Sequence, residues 1–167
     1  LWFLVDYLYV MGRTYTAPLG FDIRHTYSIV ISSLSERSPD YIPKEKRERP
    51  DGVHLLTALD RIRTYPGVES ACLTDGGMPY YMGSRNLVWR IDTLQVPCRY
   101  AFVTPEFFDV FRIYDKDGKT ASLKRAIEDN NSIVISADVE TMNPGLSLLG
   151  QKAYRGNVTD EIEETIR

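Results

Sequence analysis

Residues 103–113, VTPEFFDVFRI, combine a helix-start signal with a heavy load of large apolar side chains. Thr104 can cap a helix with its hydroxyl, and Pro105 suits the first helical position, where no N–H is needed. Glu106 would then lie near the positive end of the helix dipole. Four large apolar residues follow within two turns: Phe107, Phe108, Val110 and Phe111. None of them is chemically reactive, so the segment predicts a packing helix over residues 104–111.

The length, composition and net charge of the chain limit the classes of protein to which it can belong. A chain of 167 residues is long enough for one domain with its own core. Because 43% of the residues are hydrophobic and 26% are charged, a folded domain is expected rather than a disordered chain. The formal net charge of -3 argues against a nucleic-acid binder, which usually carries a basic face.

The first eleven residues, Leu1–Met11, are apolar apart from Asp6. They are too few to span a bilayer, which takes about 20 residues. Trp2, Tyr7 and Tyr9 are residue types that favour a membrane–water interface. The segment is either the outer end of a transmembrane helix whose upstream part is missing, or a terminal helix packed on the core. Since the chain does not begin with Met, we expect an excised piece of a longer protein.

A strand–helix–strand unit is predicted in the first half of the chain. Residues 26–32 are rich in β-branched side chains and predict a strand. Residues 52–64 carry an apolar stripe at helical spacing, with Asp51 as the N-cap, and residues 68–74 predict a second strand. This order is typical of βαβ units with parallel pairing. The fold class is therefore α+β, with a mixed sheet containing this unit and a smaller strand/helix subdomain.

The second half predicts shorter elements. Strands are expected over residues 86–92 and 95–103, in a hairpin, and a helix over residues 120–129. A buried strand at residues 132–136 and a short helix within residues 137–150 follow. The acidic tail, residues 158–167, reads as a solvated chain end.

No constellation of catalytic or metal-binding residues emerges. The chain has neither a P-loop nor a Gly-x-Ser-x-Gly elbow. His25 and His54 lie too far apart in sequence for a local zinc motif. Asp115–Gly118 fails the calcium-loop pattern and reads as a tight turn. Cys72 and Cys98 are either buried free thiols or, in an oxidising compartment, a disulfide. We therefore predict no enzyme activity and no catalytic, cofactor-binding or metal-binding residue.

Five short motifs follow one another along the chain: Pro18–Asp22, Tyr65–Glu69, Val103–Val110, Ser132–Ile135 and Leu149–Lys152. Together they resemble the extracytoplasmic (periplasmic core) domain of MacB-type, FtsX-like ABC transporter permeases. The resemblance depends on the order and spacing of these motifs, and the general character of the sequence resembles Bacteroidales-type members. The resemblance divides the chain into a membrane-proximal helix stub at residues 1–12 and the core domain at residues 13–167. Family sequences continue with a second strand–helix–strand half, so a C-terminal truncation is expected.

The resemblance also implies a function. Such a domain transmits conformational change across the cytoplasmic (inner) membrane from its periplasmic side and contacts partner protomers or export substrates. Its implied partners are an ABC ATPase, a second permease protomer and a periplasmic adaptor or lipoprotein. No cofactor is implied. The alternative is an extracytoplasmic ligand-sensing domain of a membrane-anchored signalling protein, in which the loop at residues 76–84, with Tyr80 and Tyr81, lines a pocket.

Overall fold

The computed structural model describes residues 2–17, 19–32, 34–46, 51–80, 85–92, 94–129, 131–142, 145, 147–155 and 162–166. The helices are α1 (Trp2–Thr16), α2 (Asp51–Arg63), α3 (Phe107–Val110), α4 (Ala121–Glu128) and α5 (Asp138–Met142). The strands are β1 (Thr74–Asp75), β2 (Arg85–Ile91), β3 (Leu94–Tyr100), β4 (Phe102–Val103), β5 (Ser132–Ile133), β6 (Lys152–Arg155) and β7 (Ile162–Ile166). A 3-10 turn covers Lys44–Lys46.

The strands form two sheets. The larger sheet has five strands in the order β3-β2-β6-β7-β5, and the smaller one pairs β1 with β4. Only β5 and β7 pair in parallel among the described strands, while the other ladders are antiparallel. The hairpin of β2 and β3 has Ile91 opposite Leu94, which confirms the predicted hairpin. The predicted α+β class with a mixed sheet is therefore confirmed.

Two apolar clusters form the core. The first lies on the large sheet and contains five buried residues: Trp89, Ile91, Leu148, Ala153 and Ile166. The second is built on α3 and its C-cap by Phe107, Phe108 and Phe111, each at most 7% exposed. The prediction that residues 104–111 form a packing element is therefore confirmed, although its helical part is limited to Phe107–Val110.

The predicted βαβ unit is only partly present. Its helix is confirmed as α2, but residues 26–32 form no strand, and of residues 68–74 only Thr74 joins a ladder, in β1. β-branched side chains favour a pleated surface, but a strand also needs a partner ladder, and no described strand pairs with residues 26–32. Accordingly Tyr27 and Val30 are 85% and 87% exposed.

Helix α2 buries only part of its predicted stripe. Leu59, in its second half, is 3% exposed, whereas Leu56, three residues earlier, is 53% exposed. The periodicity located the helix correctly, but tertiary contacts decide which turns of the stripe are covered.

The acidic tail contains a strand that the sequence analysis did not predict. Residues 162–166 form β7, which lies inside the large sheet between β6 and β5, and Ile166 is fully buried. The charged composition gave no sign of a strand, because the hydrogen bonds of β7 to β6 and β5 are made by its backbone and depend on register. The turn expected at residues 143–145 falls mainly on residues outside the described part.

Helix α1 continues past Gly12 to Thr16, so the boundary expected between residues 12 and 13 falls inside a helix. None of its side chains is buried. Within the described residues, no helix combines the length and apolar character that a membrane crossing requires.

Candidate functional site

Segments that are distant in sequence converge on α3. We use the term α3 junction for Glu106–Arg112 together with the side chains that pair with it from α2, α4 and residues 20–24. The junction brings the Val103–Val110 motif against residues 19–22, the described part of the Pro18–Asp22 motif, and against the end of α2. We take the α3 junction as the candidate functional site.

An aromatic cluster forms the base of the junction. The rings of Phe107 and Phe108 meet edge to face at 5.9 Å, and Phe107 and Phe111 lie 4.7 Å apart. Phe21 and Cys72 pack against this cluster. Burying a phenylalanine contributes about 1.5–3 kcal/mol, so these rings fix where the backbone of α3 lies.

The segment that leads into α3 makes different hydrogen bonds from those that the sequence predicted. The Thr104 hydroxyl does not cap the helix but accepts a hydrogen bond from the Leu73 N–H at 3.1 Å. The Thr104 N–H in turn donates to the Leu73 carbonyl at 3.0 Å, which extends the short β1–β4 ladder by one position. The predicted helix N-cap at Thr104 is therefore wrong, because α3 begins at Phe107 with Glu106 at the N-cap position and no side-chain capping hydrogen bond.

An ion pair joins α3 to the end of α2. Arg63 Nη2 lies 2.5 Å from Glu106 Oε2, and the two side chains are 32% and 29% exposed. Arg63 Nε also donates to the Ala71 carbonyl at 3.1 Å. Glu106 Oε2 is shielded from solvent and has no hydrogen-bonding partner with regular geometry among the described residues, so Arg63 supplies its compensating charge. Arg63 therefore holds three segments together.

A second ion pair joins α3 to α4. Lys124 Nζ donates to Asp109 Oδ2 at 2.7 Å, with side chains 31% and 34% exposed. This hydrogen bond lowers the pKa of Asp109 below its ordinary value and raises that of Lys124. Asp109 is therefore ionised at neutral pH.

Residues 20–24 are tied to the C-terminal end of α3. The Asp22 N–H donates to the Phe111 carbonyl at 2.8 Å. The Asp22 carboxylate accepts from Arg24 Nη2 at 2.7 Å and from Arg112 Nη1 at 2.9 Å. Hydrogen bonds from the Arg24 side chain and backbone, with a further one from Arg112, hold the pKa of Asp22 well below its usual range. One carboxylate thus bridges two guanidinium groups.

Arg112 occupies a position that usually belongs to glycine. The Ile113 N–H donates to the Phe108 carbonyl at 2.9 Å, and the Arg112 N–H donates to the Asp109 carbonyl at 3.3 Å. This is the Schellman pattern of helix ends, and Arg112 has the positive φ of 51° that it requires. An L-residue in this conformation costs about 1–2 kcal/mol relative to glycine. The chain thus bears local strain where it presents a guanidinium beside Asp22.

A cavity of about 550 Å³ opens beside this carboxylate. It is lined by six residues from both segments: Gly20, Phe21, Asp22, Arg24, Arg112 and Tyr114. Phe21 also makes an edge-to-face contact with Tyr80 at 6.0 Å.

The two cysteines and two histidines, for which the sequence analysis predicted no catalytic or metal-binding role, form no shared site among the described residues. Cys72 packs against the α3 cluster and Cys98 against the sheet cluster, and both are free thiols. Burial raises the pKa of Cys72 to about 11 and also raises that of Cys98, which disfavours the reactive thiolate. His25 and His54 are both exposed. Across the described ranges, no group of three His, Cys, Asp or Glu side chains could hold a metal ion.

The Asp115 loop is the tight turn that its composition predicted. Asp115 Oδ1 accepts hydrogen bonds from the backbone N–H groups of Asp117 and Lys119, at 2.9 and 2.8 Å, and Oδ2 accepts one from the Ser122 hydroxyl. The carboxylate therefore organises its own loop and the start of α4.

Sequence reasoning missed the charged residues of the junction: Asp22, Arg63, Arg112 and Lys124. The partners in two of these pairs are 15 and 90 positions apart, so no local spacing could reveal them. A usable signal was the presence of Glu106 and Asp109 within a strongly apolar segment, since half-buried carboxylates need partners.

A scan of protein-family models matched no family, and a search of curated proteins returned no similar sequence. The resemblance to MacB-type permeases therefore rests on the five motifs alone.

Proposed function

We propose that this chain is the extracytoplasmic domain of a MacB-type, FtsX-like ABC transporter permease. In this role it transmits conformational change across the cytoplasmic membrane from the periplasmic side and contacts partner protomers or export substrates. Its partners are an ABC ATPase, a second protomer and a periplasmic adaptor or lipoprotein. The domain itself catalyses no reaction.

The observation that carries this proposal is the exposure of α1. This helix has 15 residues and no buried side chain, with Trp2 at 85% and Phe3 at 84% exposure. Leaving such side chains in water forfeits about 25 cal/mol for each Å² of apolar surface. A membrane environment recovers this free energy, and the aromatic side chains of α1 suit the interface. At about 1.5 Å per residue, α1 covers roughly 22 Å, which suits the outer part of a spanning helix.

The α3 junction supports a mechanical role. Ion pairs tie α3 to α2, to α4 and to residues 20–24, which follow α1 closely in the chain. A displacement of α1 would therefore reach α3 through a short segment whose far end is held by Asp22. Such a chain of packed elements can transmit a domain rearrangement if it has two stable arrangements.

The test uses the full-length membrane protein purified from its native membrane. We expect an ABC ATPase to copurify and the complex to hydrolyse ATP, whereas the 167-residue chain alone hydrolyses none. Breaking the junction with Arg63→Met should reduce transport for each ATP hydrolysed. The control variant Arg85→Met removes an exposed ion pair with Asp75 outside the junction and should leave this ratio unchanged. Absence of any copurifying ATPase would refute the proposal.

The alternative, an extracytoplasmic ligand-sensing domain, is favoured by one contact. Tyr80, from the loop expected to line a pocket, meets Phe21 in the wall of the cavity. Tyr81 lies outside the described residues. The coding sequence downstream of Arg167 discriminates between the two functions. Three further hydrophobic spans support the permease, and a single span followed by a kinase-type or methyl-accepting module supports the sensor.

A further inference from the structure

We infer that the cavity between residues 20–24 and residues 112–114 is a binding site for a phosphate group, carried either by a small phosphate ester or by a lipid headgroup. The inference goes beyond the proposed function and does not depend on it. Three properties of the lining support this inference: an excess of positive charge, guanidinium N–H groups that solvent can reach, and aromatic surface.

The charge in the cavity is unbalanced. Its lining contains two guanidinium groups, Arg24 and Arg112, and one carboxylate, Asp22. Because the pKa of Asp22 is held well below its usual range, the carboxylate is ionised throughout the physiological range and neutralises one cation only. The lining therefore has one positive charge in excess, and a guanidinium fork matches the oxygens of phosphate.

Both arginines retain donors for a ligand. Arg24 contacts Asp22 through Nε and Nη2, so the hydrogen bonds among the described residues leave its Nη1 available. Arg112 contacts Asp22 through Nη1, which leaves Nε and Nη2. The two side chains are 79% and 42% exposed, so a ligand can reach these groups from solvent. Asp22 meanwhile positions both arginines before the ligand arrives.

The backbone is strained on both sides of the cavity. Arg112 has φ of 51° and His25, next to Arg24, has φ of 62°. They are two of the four non-glycine residues with positive φ in the described part of the chain. The Thr26 N–H donates to the Ile23 carbonyl at 3.0 Å, which closes a turn that puts His25 where glycine is usual. Strain of this kind concentrates at functional sites, and both arginines that contact Asp22 lie at or next to a residue with positive φ.

The remaining lining suits the apolar part of a phosphate ester. Phe21 and Tyr114 contribute aromatic surface, and Tyr114 is 56% exposed. The volume of about 550 Å³ lies within the range of about 300–1,000 Å³ found for small-molecule sites. Gly20 contributes only backbone to the lining.

The test is an NMR titration of the ¹⁵N-labelled 167-residue chain with inorganic phosphate and with glycerol 3-phosphate. We expect saturable shifts confined to the amides of residues 20–24 and 112–114. Arg112→Gly should weaken binding at least about tenfold, since a charge-assisted hydrogen bond is lost. This variant keeps the fold because glycine is the preferred residue at that φ. Arg24→Gln, which changes an exposed side chain, should weaken binding as well.

The control is Arg85→Gln, which removes the same charge from an exposed pair with Asp75 outside the cavity. It should leave the affinity unchanged. Equal weakening by the control, shifts spread over the surface or no saturation would overturn the inference.

Vesicles distinguish the two sources of phosphate. If a lipid headgroup is the ligand, Arg112→Gly reduces cosedimentation with phosphatidylglycerol vesicles relative to the Arg85→Gln control. If a soluble ester is the ligand, the two variants cosediment equally and only the NMR affinity for glycerol 3-phosphate differs. Equal behaviour of both variants in both assays refutes the site.

Discussion

The ion pair between Arg63 and Glu106 offers the sharpest test of how the junction is held. The perturbations are Arg63→Met, which keeps the aliphatic stem, Glu106→Gln and the double variant. Each side chain is about one-third exposed, and their charged atoms are 2.5 Å apart. Removing one partner of a fully buried pair costs about 3–5 kcal/mol, and an exposed pair is worth about 0.2–1 kcal/mol. For this intermediate burial we expect Arg63→Met to lower the free energy of unfolding by about 2 kcal/mol.

The coupling between the two residues is measured by a double-mutant cycle in urea, which removes effects that each substitution has alone. We expect a coupling free energy of about 1–2 kcal/mol, since each partner compensates the shielded charge of the other. A matched cycle on Arg85 and Asp75 provides the control. That pair has nearly the same separation, 2.6 Å, but its side chains are 51% and 58% exposed, so we expect about 0.5 kcal/mol.

The comparison isolates burial as the physical variable, because the two pairs share charge type and distance. Equal coupling free energies in the two cycles would refute the reasoning that shielding of Glu106 Oε2 makes the junction pair strong. A coupling below about 0.5 kcal/mol for Arg63 and Glu106 would do the same.

Three further predictions concern glycine, pH and thiol chemistry. Gly77→Ala should destabilise the fold by about 2–4 kcal/mol, from positive φ and from a Cβ placed 2.7 Å from a neighbouring methyl carbon. Gly67→Ala, with positive φ but open space, should cost only about 1–2 kcal/mol, and equal urea midpoints for the two variants would contradict the steric argument. The hydrogen bond from Lys124 lowers the folded-state pKa of Asp109, so its stabilising contribution is present above about pH 4 and is lost as the pH falls toward that lowered pKa. Unfolding measured between pH 2 and 7 should therefore show Asp109→Asn less stable than the parent at neutral pH and converging with it in acid; a constant difference would refute the linkage. Finally, the raised pKa of Cys72, about 11, predicts peptide-resolved alkylation at pH 8 about 100-fold slower in the folded chain than in urea, and similar rates would count against its burial.

The elements that sequence analysis located correctly are those whose signals are local. Helix α2 appears where apolar residues recur at helical spacing, and the β2–β3 hairpin appears where β-rich runs flank a short turn. The aromatic segment at residues 107–111 is buried because exposing so much apolar surface to water would be unfavourable. These features depend on side-chain character within one segment.

The failures share one cause, which is pairing between distant segments. Residues 26–32 have the composition of a strand but no described partner, whereas residues 162–166 carry charge and yet occupy the interior of the large sheet. A ladder needs the backbone of a second segment, and the sequence of one segment does not indicate which segment will pair with it. The Thr104 hydroxyl was predicted to cap a helix and instead binds Leu73 for the same reason.

The amino-acid sequence by itself determined that this chain is an α+β domain with an aromatic packing segment and an apolar segment at its start, because composition and periodicity act locally. Only the tertiary structure decided that Arg63 compensates Glu106 and that Asp22 draws Arg24 and Arg112 to one cavity. The physical reason is that charge compensation acts through space over a few Å, and the fold alone sets which charges come that close.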